Sequence, residues 1–89
     1  MSSKLYISDA EILKNIQSEL ARARNKFPNP QGSMTALTEE VGELAKALLD
    51  EPWARVIEEA TQVAVMAIRV ATEGDPTLNG YREQRNNKK

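Results

Sequence analysis

The sequence contains no cysteine and no histidine, and only four of its 89 residues are aromatic. Without cysteine there is no disulfide framework, no thiolate metal site and no thiol nucleophile, which is consistent with a reducing cytoplasm. Because histidine is also missing, the hydroxyl side chains lack an ordinary base for nucleophilic catalysis. A core with so few aromatic side chains must be aliphatic and rich in alanine, which favours packed helices over a β-sandwich.

The sequence also lacks an excess of charge of one sign, and it has no long apolar run. Twelve basic and thirteen acidic side chains give a net charge of −1, so we expect no nucleic-acid partner. The start of the chain has no apolar run long enough for a signal peptide or a membrane span. We therefore expect one soluble cytoplasmic domain, residues 1–89, with flexible ends at about 1–7 and 82–89.

The first apolar stretch has the period of a helix. Ser8 stands three residues before Glu11, which is the spacing of a capping box, and predicts a helix from about Asp9 to Lys26. The two prolines of the segment 28–32 cannot continue a helix, because each removes a backbone donor and restricts the residue before it. This segment is therefore predicted to be the first loop.

Two further helices are predicted after this loop. Ser33 or Thr35 is expected to cap the second helix, which ends near Leu49. Pro52 suits the first position of the third helix, and Gly74 marks its end. A short final turn is predicted to follow Gly74.

The third helix carries apolar side chains on nearly all faces, including Val56, Val65 and Met66. In so small a chain, such a helix indicates that a second subunit covers part of it. The predicted fold is therefore all-α: an antiparallel bundle of three main helices plus a short C-terminal segment, completed by a partner subunit.

Two acidic clusters, residues 39–43 and 58–62, lie on the second and third predicted helices. We placed residues 100° apart around each axis. The core directions were set by Leu37, Val41, Leu44 and Leu48 on the second helix and by Val56, Ala60, Val63 and Ala67 on the third. Glu40 and Glu43 then lie in one sector, and Glu59 and Gln62 lie in the matching sector of the next helix. If the helices are antiparallel neighbours, these four side chains face one cleft.

The simplest alternative is that the glutamates are solvated residues on helix surfaces, where their repulsion costs only a few tenths of a kcal/mol per pair. However, Ala36, Ala47 and Met66 flank them, which indicates a partly enclosed stripe. There the repulsion reaches roughly 4 kcal/mol per close pair. A cation or protons must then neutralise the carboxylates, and Mg²⁺ prefers oxygen ligands of this kind.

The run Glu39-Glu40-Val41-Gly42-Glu43-Leu44, followed by Glu58-Glu59-Ala60-Thr61-Gln62, resembles the MazG-like group of all-α nucleoside triphosphate pyrophosphohydrolases, whose signature is EExxE, a spacer and ExxD. The similarity extends from about Phe27 to Asp75. It implies a homodimer or homotetramer that holds Mg²⁺, or Mn²⁺ in its place, and cleaves a nucleoside triphosphate into the monophosphate and pyrophosphate.

The resemblance also implies site residues. By motif, the metal ligands are Glu40, Glu43, Glu59 and Gln62. Glu39 is an auxiliary ligand or the catalytic base. Candidates for holding phosphate oxygens are Lys46, Arg55 and Arg69, although a basic residue beside an acidic helix pair is as often a plain salt bridge. Gln62 departs from the usual aspartate and adds no negative charge.

Three functions therefore remain open. The preferred hypothesis is a Mg²⁺-dependent nucleoside triphosphate pyrophosphohydrolase. The second is a non-catalytic helical module that binds a nucleotide or a protein and carries a degenerate metal site. The third is a purely structural role, in which Mg²⁺ leaves the melting temperature unchanged.

Overall fold

The computed structural model describes residues 5–29 and 31–87, and these residues form four helices and no strand. Helix α1 spans Asp9–Lys26, α2 spans Ser33–Asp50, α3 spans Trp53–Glu73 and α4 spans Pro76–Asn87. The predicted all-α class is confirmed. None of the helices in the described ranges is both long enough and apolar enough to cross a bilayer.

Helix α1 begins and ends where the sequence predicts. The backbone N–H of Glu11 donates to Ser8 Oγ at 3.1 Å, so Ser8 is the N-cap. At the other end, the N–H of Phe27 closes the last turn on the carbonyl of Ala23. The predicted N-cap at Ser8 is therefore confirmed.

The start of α2 differs from the prediction. Gly32, rather than Ser33 or Thr35, occupies the N-cap, in the left-handed region at φ 67° and ψ 36° and with no side-chain cap bond. The acceptor comes from a distant part of the chain, because Asp75 Oδ2 accepts the N–H of Met34 at 2.9 Å. Glycine adopts this backbone conformation at little cost, so Ser33 already lies inside the helix.

Helix α3 begins at Trp53, and Pro52 is its N-cap. The prediction instead made Pro52 the first residue of the helix. The helix ends at Gly74, as predicted. Gly74 has φ 75° and ψ −165°, a region that is essentially restricted to glycine, and its N–H donates to the carbonyl of Val70.

Helix α4 is longer than the short turn that was predicted. Asp75 Oδ1 accepts both the N–H and the hydroxyl of Thr77, so the aspartate caps the first turn and the chain then stays helical through residues 82–87. The predicted flexible ends fall partly on residues 1–4 and 88–89, which lie outside the described residues.

Helix α3 is the central element of the chain. Helices α2 and α3 are joined by two residues and pack along each other as a hairpin, while α1 packs on α3 from another side. Within the described ranges, α1 does not pack against α2, and α4 does not pack against any other helix. The surface of α3 is therefore shared between two neighbours.

The face of α2 that meets α3 is rotated from the predicted core direction, of which Leu37 and Leu44 are half-buried. Ala47 is buried, but Val41 and Leu48 are 48% and 54% exposed. Small side chains allow two helix backbones to approach closely, which agrees with the full burial of Ala47. The stripe of Val41 and Leu48 remains uncovered.

Helix α3 is also less enclosed than predicted. Val56 and Val65, which lie about half a turn apart around the helix axis, are both buried, but Ala67 and Ala71 are exposed. Burial on two sides follows from the central position of the helix. The third side has no neighbour within the described part of the chain.

Candidate metal and nucleotide site

Glu40 on α2 and Glu59 on α3 lie close together, as predicted from their positions around the two helix axes. Glu59 is buried, Glu40 is half-buried, and the two side chains are within hydrogen-bonding contact. Burial raises the pKa of Glu40, and the hydrogen bond and charge of Glu59 raise it further, followed by the charges of Glu43 and Glu39. The charged form of Glu40 is therefore disfavoured unless a proton or a cation compensates it.

The other predicted residues of α2 lie towards the solvent. Glu39, Glu43 and Lys46 are exposed. Glu43 acts on Glu40 through its charge, whereas Lys46 Nζ lies 3.6 Å from Glu51 Oε2, where α2 meets α3. Glu43 is therefore near the Glu40–Glu59 pair, whereas Lys46 forms a surface ion pair.

Arg55 is placed beside the acidic cluster of α3. Its Nη2 donates to Glu59 Oε1 at 2.7 Å, its Nη1 pairs with Glu58, and its Nε lies 3.4 Å from Glu51 Oε1. These carboxylates raise the pKa of the guanidinium, with Glu58 as the largest cause. Arg55 thus compensates part of the charge of Glu59 and lies at the edge of the predicted site, where a phosphate would have to compete with these carboxylates.

Gln62 is engaged by a residue that sequence reasoning missed. Gln62 and Glu19 of α1 line the same cleft, where the Gln62 amide helps to lower the pKa of Glu19. Glu19 accepts from Arg22 Nε at 2.8 Å, and the Arg22 bond is the largest cause of the lowered pKa of Glu19. Glu19 and Arg22 are three residues apart on a polar helix face, a pattern with no metal or substrate signal, so only the packing of α1 on α3 reveals the contact.

A cleft of about 660 Å³ lies between α1 and α3 at this point. Its walls include Asn15, Ser18, Glu19, Arg55, Glu59 and Gln62. The cleft is wide enough for a small ligand and carries both signs of charge. Glu59 therefore contacts Glu40 and also lines this cleft.

The donor set fits a hard divalent cation in part. Two carboxylates from facing helices provide oxygen ligands of the kind that Mg²⁺ prefers, and a third carboxylate, Glu43, is close enough to act through its charge. In the part of the chain that the structure describes, no group of three acidic, histidine or cysteine side chains lies together as a metal cluster. The four predicted ligands are thus divided into a Glu40–Glu59 pair, a solvent-facing Glu43, and Gln62 on the side of α1.

Arg69 occupies a different environment from Lys46 and Arg55. It is 2% exposed. Its Nε and Nη2 hold Glu73 at 2.9 Å, while Nη1 and Nη2 donate to the carbonyls of Ala23 and Phe27 at 3.3 and 2.6 Å. Four of its five N–H donors are used in this way. Arg69 therefore ties the end of α1 to α3.

A second cavity, of about 300 Å³, lies between the α1–α2 loop, the first turn of α2 and the later part of α3. Ser33 and Ala36 of α2 and Met66 of α3 are among its lining residues. Ala36 lies one helical turn before Glu40, and Met66 lies one turn after Gln62. The cavity is therefore next to the acidic pair along the same pair of helices.

Comparison with known proteins adds no further assignment. No family model matches this chain, and searches of curated proteins and of solved structures also find no significant match. The resemblance to the MazG-like group therefore depends on the motifs in the sequence.

Proposed function

We propose that this chain is a Mg²⁺-dependent nucleoside triphosphate pyrophosphohydrolase. The observation that carries the proposal is the contact between the Glu40 and Glu59 carboxyl groups, which come from the two helices that bear the EExxE and ExxQ sequences. Two partly enclosed carboxylates repel each other unless a cation or a proton lies between them. A metal site gives this otherwise unfavourable pair a function.

The residues of the chain can be given roles on this basis. Glu40 and Glu59 hold the divalent cation, with Glu43 as a further ligand, and Gln62 contributes a neutral oxygen. Glu39 accepts a proton from the attacking water. A bound divalent cation supplies charge neutralisation on the substrate phosphates and a lowered pKa of that water. Arg55 and Lys46 hold phosphate oxygens in this proposal, once they exchange their present carboxylate partners.

The proposed enzyme is a cytoplasmic homodimer or homotetramer, in which a partner subunit completes the helical bundle. The support for this is the uncovered apolar stripe of Val41 and Leu48 on α2 and the exposed alanine side of α3. An 89-residue chain buries only roughly 60% or somewhat more of its extended surface, so association would add stability.

The proposal is tested by a product assay on all common nucleoside triphosphates with Mg²⁺ or Mn²⁺, in which pyrophosphate and orthophosphate are resolved. We expect monophosphate and pyrophosphate from at least one substrate, and loss of turnover in Glu40→Gln. The control is Asp50→Asn, which removes an exposed carboxylate from the same helix. If every nucleotide stays intact with both metals, the enzymatic proposal fails.

A second function, a non-catalytic nucleotide-binding module, is favoured by one specific feature. Arg55 already pairs with Glu59, and Gln62 lies beside Glu19 of α1, so two of the four expected ligands have polar neighbours within the chain. This module would bind nucleotides without releasing pyrophosphate. Gln62→Asp would then produce turnover, because it restores a charged ligand, whereas in an active enzyme the same substitution would only increase an existing rate.

A further inference from the structure

We propose that the cavity of about 300 Å³ at the start of α2 binds a nucleobase, and that the Ser33 hydroxyl hydrogen-bonds the edge of that base. This inference deepens the proposed function, on which it rests for the nucleotide nature of the ligand. It assigns a specificity-determining residue outside the acidic clusters.

The first support is the state of Ser33. The residue is 1% exposed, it lines the cavity, and its Oγ has no hydrogen-bond partner among the residues that the structure describes. A buried hydroxyl without a partner costs free energy, and most buried side-chain hydroxyls are paired. A ligand in the cavity that offers a donor or an acceptor would remove this cost.

The second support is the chemistry of the cavity wall. The lining includes Phe27 and Met66, whose side chains are apolar and suit a flat heterocycle, and Asn29 and Gln31, whose carboxamides can donate and accept. A volume of about 300 Å³ is at the small end of ligand pockets, so it suits a base rather than a whole nucleotide. Arg69 also lines the cavity but is held by Glu73, so the wall provides no unpaired charge for a phosphate.

The third support is the position of the cavity. Ala36 lies four residues before Glu40, or about 6 Å along α2 at 1.5 Å per residue. On α3, Met66 lies four residues after Gln62. A nucleotide with its base in this cavity could therefore extend its phosphates along the hairpin towards the Glu40–Glu59 pair, with the sugar covering the turn between them.

The test uses uncharged nucleosides in the presence of EDTA, so that binding requires neither phosphate nor metal. The full chain is titrated with adenosine, guanosine, cytidine, uridine and thymidine, and the side-chain amide signals of Asn29 and Gln31 are followed by NMR. We expect at least one nucleoside to shift these signals in a saturable manner. Ser33→Ala should weaken its binding about three- to tenfold, which is the contribution of one hydrogen bond.

Two variants separate recognition from folding. Thr35→Ala removes an exposed hydroxyl from the same turn and should leave nucleoside affinity unchanged. Ala36→Leu fills the cavity with a good helix former and should abolish nucleoside binding while the chain still unfolds cooperatively. Without ligand, Ser33→Ala should melt at or above the wild-type temperature, because it removes an unpaired buried hydroxyl.

The outcomes also separate this inference from the proposed function. If a nucleoside triphosphate is hydrolysed but no nucleoside shifts the cavity signals at millimolar concentration, the inference is overturned and the enzymatic function stands. If nucleosides bind as expected but no triphosphate is cleaved, the cavity assignment stands and the enzymatic function fails. If Ser33→Ala binds as tightly as the wild type, the hydroxyl holds only a water molecule and the inference is wrong.

Discussion

Arg69→Met is expected to remove a large part of the stability of the folded chain. Methionine retains the aliphatic part of the side chain, so the substitution removes mainly the guanidinium and its four hydrogen bonds to Glu73 and to the carbonyls of Ala23 and Phe27. Removing one partner of a buried charged pair costs about 3–5 kcal/mol. The free energy of unfolding of a small domain is only about 5–15 kcal/mol.

The measurement is equilibrium unfolding in urea, followed by far-UV circular dichroism at one fixed protein concentration, because association also affects stability. A loss of about 3 kcal/mol lowers the midpoint by roughly 1–3 M at the m-values of small proteins. Arg22→Met is the matched control, since that guanidinium is exposed and, among the described residues, pairs only with Glu19 of its own helix. The control should unfold close to the wild-type midpoint. If Arg69→Met unfolds there as well, Arg69 does not join α1 to α3 in solution.

Further predictions concern pH and the helix ends. The pKa of Glu73 is lowered to about 2, chiefly by its hydrogen bond with Arg69, so its stabilisation is present above about pH 4.5 and is lost as the pH falls towards 2. The shift from 4.5 corresponds to about 3 kcal/mol, or roughly 2 kcal/mol after solvent screening, and Glu73→Gln should abolish this acid-dependent part of urea unfolding. The pKa of Glu40 is raised, so the sign is opposite: without metal, stability falls as the pH rises through its raised pKa, and Glu40→Gln should be more stable than the wild type at pH 7. Gly74→Ala should lose about 1–3 kcal/mol in the same assay, because alanine does not adopt this backbone conformation without strain. Asp75→Ala should lower the Tm by about 4–8 °C by calorimetry, because it removes the acceptor for the first turns of two helices.

The helices could be predicted from the sequence because their signals are local. The cap of α1 at Ser8 and the stop of α3 at Gly74 depend on residues a few positions away, and apolar periodicity marks the segments between them. The cap of α2 could not be predicted in this way. Its acceptor, Asp75, is 41 residues from Met34, and the intervening chain must first fold to bring them together.

The orientation of α2 is a second feature that could not be predicted from the sequence. Periodicity shows that Val41 and Leu48 form one apolar stripe of α2 and that Ala36 and Ala47 form another. It does not determine which of the two stripes contacts α3. Hydrophobicity alone favours the larger side chains, whereas close packing of two helices favours alanine. In the structure Ala47 is buried, Leu37 and Leu44 are half-buried, and Val41 and Leu48 are exposed, so the covered face lies between the two stripes.

For the candidate site, placing residues 100° apart around each helix axis predicts which side of each helix faces the site. It does not predict every contact. Glu40 and Glu59 meet because their sectors face each other in a hairpin with a short connection. The proximity of Gln62 to Glu19 depends on how α1 crosses α3, and nothing in the local sequence around Glu19 specifies that crossing. The buried state of Arg69 could not be predicted for the same reason, since its partners Ala23 and Phe27 lie at the end of α1, far away in the sequence.

The central claim is that the Glu40–Glu59 pair holds a catalytic divalent cation. It is tested most directly by resolving the products of nucleoside triphosphates incubated with the wild type and with Glu40→Gln, with and without Mg²⁺. The account predicts pyrophosphate and a nucleoside monophosphate only from the wild type with Mg²⁺. Pyrophosphate released equally by Glu40→Gln, or no product from any nucleotide with Mg²⁺ or Mn²⁺, would contradict it.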